Sequence, residues 1–254
     1  FQTIGNIIEL IEKDDIPKYL LFLENAFPYM DNYNYHKGMN GIIQELKCLL
    51  KTKNIGTDSD QALLLDFQAA LETKPEKAIK LEKDALAQIE NITADNARLV
   101  SNLHANLGGL YRMNGHPDLA REHMEKSISL LDQFNLLHIN DSIPQIANYA
   151  MFLTEQQEPE RGISELQKLS GIIKEYHSDD CLDYAKVQET LGTIYLMTAN
   201  LPQAKTHFKR AFKIYEKIWA DEPEMIEAKY QEIQELYPQI GFCIGKNLSG
   251  LLTK

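Results

Sequence analysis

The strongest constraint on the fold of this chain is a motif that returns at a fixed spacing. Residues 106–111 read Asn-Leu-Gly-Gly-Leu-Tyr, and residues 190–195, 84 positions later, read Thr-Leu-Gly-Thr-Ile-Tyr. Because 84 is twice 42, an intermediate copy is expected, and it lies in degenerate form at Tyr149 and Ala150. A shift of 42 in the other direction reaches Leu65 and Ala69. Four units over residues 58–222 therefore share one register.

Prolines follow the same register. Pro75, Pro117 and Pro159 are 42 residues apart, and Pro202 is displaced by one position. Each is followed by Glu, Asp or Gln. Proline in the first turn of a helix loses no needed hydrogen bond, and an acid there interacts favourably with the helix dipole. The pattern predicts two helices per unit, with the second beginning at the proline.

These units resemble the tetratricopeptide repeat, which carries Leu-Gly-x-x-Tyr on its first helix and Ala-x-x-x-Phe-x-x-Ala on its second. The copy near the C-terminus matches all six positions: Leu191, Gly192, Tyr195, Ala204, Phe208 and Ala211. The copy from Leu107 matches four, with Met124 and Ser127 at the other two. The long period of 42 residues is similar to that of kinesin light chains. The resemblance implies an all-α, right-handed superhelical solenoid of antiparallel helix pairs.

The glycines support close packing of the helices within a pair. Gly108 and Gly192 lie in helical runs, where glycine costs about 1 kcal/mol relative to alanine. A neighbouring helix that approaches closely would offset that cost, and small residues such as Ala120 and Ala204 lie on the second helix. Hydrophobic residues make up 44% of the chain, and no strand-like alternation is sustained.

The repeats predict three regions. Residues 1–57 form an N-terminal helical region or a diverged repeat, with helices at Ile4–Ile11, Lys18–Met30 and Gly41–Lys51. Residues 58–222 form the four repeats, and residues 223–254 form C-terminal capping helices, at Met225–Leu236 and Ile240–Leu252. The chain begins at Phe1 without a methionine, so we interpret it as part of a longer protein.

The composition and the absence of known catalytic motifs from the sequence limit the classes of function that this chain can have. A net charge of −11 argues against nucleic acid as the partner, and no apolar run is long enough for a membrane span. Three cysteines, an odd number, favour a reducing, cytoplasmic compartment. His-Glu-x-x-His, Cys-x-x-Cys, Gly-x-Ser-x-Gly and a phosphate loop are all missing from the sequence. We therefore expect no enzyme activity and no cofactor.

Two sites contain residue types that can bind a metal ion or react as a thiol. His116 and His123 are seven residues apart on one helix, a distance of about 10 Å that one metal ion cannot readily bridge. Cys181 lies beside Asp179 and Asp180, and we interpret it as an inert linker residue. We expect no metal site.

The resemblance implies a binding groove lined by the first helix of each pair. Carried over by position, the candidate residues are Asn102, Asn106, Arg112, Asn148, Met151, Lys186, Thr190 and Thr193. Asn106 and Asn148 are equivalent and would form a ladder of amides that hold the backbone of an extended peptide. Arg112 and Lys186 would favour an acidic side chain or a C-terminal carboxylate.

A basic stripe on a second helix is the other candidate surface. Lys205, Lys209, Lys213 and Lys217 are spaced by four, and an acidic segment follows at residues 216–235. A solvated outer face is the simpler interpretation; pairing between two protomers is the alternative.

The sequence thus predicts a non-enzymatic scaffold that binds a protein or an extended peptide. One alternative is a C-terminal, ligand-sensing regulatory arm of a larger signalling protein with a nucleotide-switch or DNA-binding domain. A further alternative is a self-association module, such as a homodimer.

Overall fold

The computed structural model describes residues 19, 20, 23 and 36–236. Within these residues, all regular secondary structure is helical, which confirms the all-α prediction. The helices are α1 His36–Lys53, α2 Asp58–Ala70, α3 Pro75–Gln88, α4 Ala97–Met113, α5 Pro117–Gln133, α6 Ser142–Glu155, α7 Pro159–Tyr176, α8 Leu182–Met197, α9 Leu201–Ile218 and α10 Pro223–Leu236. Helix α1 begins earlier than the predicted start at Gly41. The predicted helices Ile4–Ile11 and Ile240–Leu252, and most of the one at Lys18–Met30, lie outside the described residues.

The chain divides into two compact units. Unit 1 is Phe1–Phe134 and contains α1 to α5, whereas unit 2 is Asn135–Lys254 and contains α6 to α10. In unit 1, α2 packs on α3, α4 packs on α5, and α3 also contacts α4. In unit 2, α6 packs on α7, α8 packs on α9, and α10 contacts α9. Each unit is thus built from helix hairpins.

The second helix of each hairpin begins at the predicted proline. Helices α3, α5 and α7 start at Pro75, Pro117 and Pro159, and Pro202 is the second residue of α9. The missing proline N–H removes no intrahelical bond at these positions. The prediction from proline spacing is confirmed for all four.

The turns before α5, α7 and α9 share one backbone conformation. Gly115, Gln157 and Ala199, at equivalent positions, have φ angles of 75°, 64° and 59°. The next residue closes each turn by donating its N–H to a carbonyl five residues earlier: His116 to Tyr111, Glu158 to Leu153 and Asn200 to Tyr195, at 2.9, 2.8 and 2.7 Å. This is the left-handed ending common at helix C-termini.

Small residues let the two helices of a hairpin meet closely. A Cβ atom on Gly108 would lie 2.6 Å from Met124 Cγ, and one on Gly192 would lie 2.9 Å from the Phe208 ring. The interpretation of these glycines as close-packing positions is therefore confirmed. Both helices of a hairpin contribute fully buried side chains, such as Leu103 of α4 and Phe208 of α9.

Cys181 has a more specific role than that of an inert linker residue. It is the N-cap of α8, where its Sγ accepts a hydrogen bond from Tyr184 N at 3.4 Å and donates one to the Ser178 carbonyl at 3.2 Å. A helix N-terminus has unpaired N–H groups that need acceptors, and here a sulfur supplies one. None of the described helices has the length and apolar character that crossing a bilayer requires.

Candidate functional site

The predicted binding residues lie on the first helices of the hairpins. Asn102, Asn106 and Arg112 are on α4 of unit 1, Asn148 and Met151 are on α6, and Lys186, Thr190 and Thr193 are on α8 of unit 2. Asn106, Asn148 and Lys186 are exposed and the other five are half-buried.

In unit 2, the candidates belong to two helices that touch. Helices α6 and α8 are in contact, as are α8 and the intervening α7. Lys186 pairs with Asp183 on its own helix at 3.5 Å, and its side chain is 53% exposed. An exposed pair of this kind contributes little, so the ammonium group can exchange Asp183 for another anion. Thr190 donates its hydroxyl to the Lys186 carbonyl at 3.0 Å, which leaves the oxygen as an acceptor.

In unit 1, the Asn106 side chain is already engaged within the chain. Its Nδ2 donates to Asp66 Oδ1 of α2 at 2.8 Å. The Asn106 amide therefore holds a carboxylate of the preceding repeat. Asn106 and Asn148 lie in different units, so the proposed amide ladder stays a prediction.

Asp66 belongs to a carboxyl pair that the motif search missed. Glu82 of α3 is 2% exposed, and one of its oxygens, Oε2, has no hydrogen-bond partner. Burial, together with the charge and hydrogen bond of Asp66, raises the pKa of Glu82 to about 10. Glu82 therefore keeps its proton at neutral pH. The signal was present in the register, because Glu82 occupies the position of Met124 and Phe208 in later repeats.

A histidine pair joins the two helices of the second repeat. His104 Nδ1 of α4 and His123 Nδ1 of α5 are 2.9 Å apart, and the His123 ring stacks on Tyr111 with centroids 5.4 Å apart. Burial and the neighbouring His123 and Lys126 lower the pKa of His104 to about 4. One neutral imidazole therefore donates to the other.

The fourth repeat uses the same arrangement with one substitution. His207 Nδ1 lies 2.9 Å from Gln188 Oε1, and its ring stacks on Tyr195 at 5.3 Å. These three residues are each 84 positions after His123, His104 and Tyr111. Comparing equivalent positions across repeats, rather than spacing within one helix, would have predicted the cross-helix pair. The described residues include no group of three or more His, Cys, Asp or Glu arranged to hold a metal ion.

Part of the basic stripe is used inside unit 2. Lys217 pairs with Asp180, Arg210 lies 3.8 Å from Asp179, and the Arg210 guanidinium also lies 5.1 Å from the centre of the Tyr184 ring. These contacts hold the linker before α8 against α9. Lys217, which the sequence left open to pairing between protomers, therefore has a partner within its own chain.

A second network attaches α10 to the last repeat. Glu189 of α8 accepts a hydrogen bond from Tyr215 Oη at 2.6 Å and pairs with Lys229 of α10 at 3.0 Å. Ile226 and Ile233 of α10 are buried, whereas Glu224 and Glu235 are exposed. Helix α10 thus has one buried face and one charged, exposed face, and its role as a C-terminal cap stays a prediction.

Comparison with known proteins identifies the repeats. Residues 142–217 match the family model described as tetratricopeptide repeat. The fold is similar to that of BtubC (BKLC) from P. vanneervenii, with a TM-score of 0.57 and 17% identity over 89% of this chain and 84% of that chain. No curated protein matches the sequence.

Two further crystal structures show the same fold. Both are of a candidate kinesin light chain from Podosopora anserina with nearly identical TPR-like repeats, and each is 12% identical to this chain. Their TM-scores are 0.60 and 0.58, over 80% and 77% of this chain and 98% and 96% of theirs. The predicted resemblance to long-period tetratricopeptide repeats is confirmed.

Proposed function

We propose that this tetratricopeptide-repeat protein is a non-enzymatic module that binds an extended peptide or protein segment on the first-helix faces of its units. Tetratricopeptide repeats generally mediate protein–protein interaction, and stacked repeats present an extended surface that suits this role. The observation that carries the proposal is in unit 2, where α6 and α8 are in contact and carry five of the eight candidate residues.

The chemistry of this face suits the backbone and one anionic group of a peptide. The exposed Asn148 amide can both donate to and accept from a peptide backbone. Lys186 adds a cation in a chain of net charge −11, so it favours an acidic side chain or a C-terminal carboxylate. Met151 and the exposed Met197, which is 44% exposed at the end of α8, supply adaptable apolar contacts.

The test is a peptide array with free C-terminal carboxylates, screened with the wild-type chain, Asn148→Ala and Lys186→Ala. A hydrogen bond to a charged group contributes about 1.5–3 kcal/mol, so Lys186→Ala should weaken binding by roughly tenfold or more. The matched control is Lys209→Ala, which removes the same charge from an exposed position on a second helix, α9. Lys209→Ala should bind as the wild type does.

The array also separates the first-helix face from other surfaces. An equal loss of peptide binding in Lys186→Ala and Lys209→Ala would indicate a nonspecific charge effect and contradict the proposal. Arg112→Ala tests the α4 face of unit 1 in the same array. Asn106→Ala is less informative because that amide already bonds Asp66.

A further inference from the structure

The first repeat carries two carboxyl groups where the other repeats carry uncharged packing residues. Asp66 and Glu82 occupy the positions of Gly108 and Met124 in the second repeat and of Gly192 and Phe208 in the fourth. In those repeats, the two positions face each other across the hairpin, since a Cβ on either glycine would touch its partner's side chain. The register therefore places two carboxyl groups face to face in the crossing of α2 and α3.

Charge repulsion and burial make this an unfavourable replacement for an apolar pair. Glu82 is buried with one oxygen unpaired, and a buried polar group without its full set of hydrogen bonds destabilises a fold. The groups that act on Glu82 are the Asp66 carboxylate of α2 and the neutral Asn106 amide of α4. The raised pKa of Glu82 follows from this arrangement, because burial and the adjacent Asp66 carboxylate both favour the protonated form of Glu82.

The pair is connected to the first-helix face of unit 1. Asp66 is half-buried on α2, a first helix, and its Oδ1 accepts from the exposed Asn106 on the next first helix, α4. Helices α2 and α4 are in contact. A ligand that lies along this face would pass Asn106 and Asp66 before it reached Glu82.

We propose that Asp66 and Glu82 form a receptor for one cationic group of the ligand, an ammonium or guanidinium group such as that of a lysine or arginine side chain. The inference rests on the proposed peptide-binding function and adds a ligand preference to it. An ammonium group bound between the two carboxyl groups donates hydrogen bonds to both. Glu82 gives up its O–H proton to solvent in the same step, so one cation enters and one proton leaves, with no net change in charge.

The test measures cation binding and proton release together. Butylammonium chloride, with 1-pentanol as its neutral counterpart, is titrated into the wild-type chain in weakly buffered solution near neutral pH with an indicator dye. About one proton should be released per bound cation in the wild type, because the bound cation favours the ionised form of Glu82. Glu82→Gln, which has no proton to lose, should release none, and 1-pentanol should release none from either chain.

Peptides then connect the pair to the proposed function. An acetylated, amidated alanine peptide with a central lysine is compared with the same peptide carrying norleucine. Charge-assisted hydrogen bonds should make the lysine peptide bind roughly tenfold more tightly to the wild type. Glu82→Met, which installs the residue of the second repeat, should abolish that difference while circular dichroism shows an intact fold. Asp84→Asn, an exposed carboxyl on the same helix, should preserve it.

The outcomes separate this inference from the proposed function. Equal affinity of the wild type for the lysine and norleucine peptides, or proton release that persists in Glu82→Gln, would overturn the cation receptor. If carboxylate-terminated peptides still bind through Lys186, the peptide-binding proposal stands without it. Proton release with butylammonium in a chain that binds no peptide would support the receptor and overturn the peptide-binding proposal.

Discussion

Gly162 of α7 lies directly against the backbone of Ala150 of α6. A Cβ atom on Gly162 would stand 2.7 Å from the Ala150 carbonyl oxygen and 3.1 Å from its Cα. The second and fourth repeats have the reverse arrangement, with Gly108 opposite Ala120 and Gly192 opposite Ala204. Each of these crossings combines one glycine with one alanine, so the close approach is kept while the glycine changes helix.

This exchange predicts a non-additive mutant cycle. Gly162→Ala should destabilise unit 2 by about 1–3 kcal/mol, as overpacking against an immovable backbone does. Ala150→Gly alone should cost about 1 kcal/mol in helix propensity. The double mutant recreates the arrangement of the neighbouring repeats and should be less destabilised than the sum of the two. Urea unfolding of all four chains measures the coupling; strict additivity would contradict the compensation.

Glycines at different positions in a helix should respond in opposite directions. Gly192→Leu places a large side chain where even a Cβ would lie 2.9 Å from the Phe208 ring. We therefore expect it to lower the free energy of unfolding by about 1–3 kcal/mol or more. Gly109→Ala has nothing within 4 Å of the added Cβ and should gain up to about 1 kcal/mol from helix propensity. Thermal melts compare the two, and equal shifts would refute the assignment of Gly192 to the crossing.

The period predicted these packing positions because it reports the geometry that every repeat must satisfy. It placed the proline starts of α3, α5 and α7, and it marked Gly108 and Gly192 as residues with a packing role. It also reached Gly162, but it could not indicate a packing role for that residue, because compensation between two helices appears only when facing positions are compared in pairs.

The candidate site was less predictable for a related reason. Asp66 and Glu82 depart from the motif, and a search by family letters passes over positions that do not match. The contact between His104 and His123 joins residues 19 positions apart, so a search for ligand spacing within one helix could not find it. Position along the first helix is the basis for expecting the eight candidate residues on a ligand surface, and this stays a prediction, whereas the Asn106 to Asp66 bond depends on side-chain geometry between repeats.

The buried carboxyl pair predicts a stability loss at rising pH. In the unfolded chain Glu82 ionises near its ordinary pKa of 4.5, but in the folded chain its pKa is raised to about 10. The folded state therefore holds an extra proton between these values, and its stability falls as pH rises through that window. Glu82→Gln removes the titration. As pH rises through this window, the stability of the mutant relative to the wild type should therefore increase by up to about 1.4 kcal/mol per pH unit.

Urea unfolding at pH 5 and pH 8 checks this expectation. Asp84→Asn, an exposed carboxyl on the same helix, serves as the control and should follow the wild-type pH dependence. A wild type and a Glu82→Gln mutant whose stabilities change in parallel between the two pH values would rule out a buried, protonated Glu82.

The histidine pair predicts that the folded chain loses stability at acid pH. The pKa of His104 falls from 6.5 to about 4 on folding, so the unfolded chain binds a proton first as pH drops. Stability from the neutral imidazole is complete above pH 6.5 and is lost between about pH 6.5 and 4. His104→Gln installs the residue of the fourth repeat, where Gln188 accepts from His207. It should keep the cross-helix bond and resist acid better than the wild type, by about 2–3 kcal/mol near pH 4.

The comparison needs both pH ranges and a neutral control. Wild type and His104→Gln should have similar stability at pH 8 and diverge at pH 4.5. His116→Gln removes an exposed histidine and should leave the acid midpoint where it is. A midpoint that shifts equally in both mutants would point to net charge rather than to the buried pair.

The shared turn before α5, α7 and α9 gives the last prediction. Gln157 and Ala199 have the left-handed conformation that Gly115 has at the equivalent position. Such a φ angle costs an L-residue about 1–2 kcal/mol, which glycine avoids. Part of that gain is offset by the extra freedom of glycine in the unfolded chain. Gln157→Gly and Ala199→Gly should each stabilise unit 2 by about 0.5–1 kcal/mol, whereas Gly115→Ala should destabilise unit 1 by a similar amount.

A glycine in an ordinary helical position provides the matched control. Gly171 lies within α7 and has nothing within 4 Å of an added Cβ, so Gly171→Ala should stabilise by up to about 1 kcal/mol. The effect of an alanine substitution on stability thus has opposite signs at Gly115 and Gly171. Both positions have room for a Cβ atom, and the difference comes from the backbone conformation. Melting temperatures of the four mutants decide the matter. If Ala199→Gly lowers the melting temperature, as glycine does inside a helix, the turn before α9 is not left-handed.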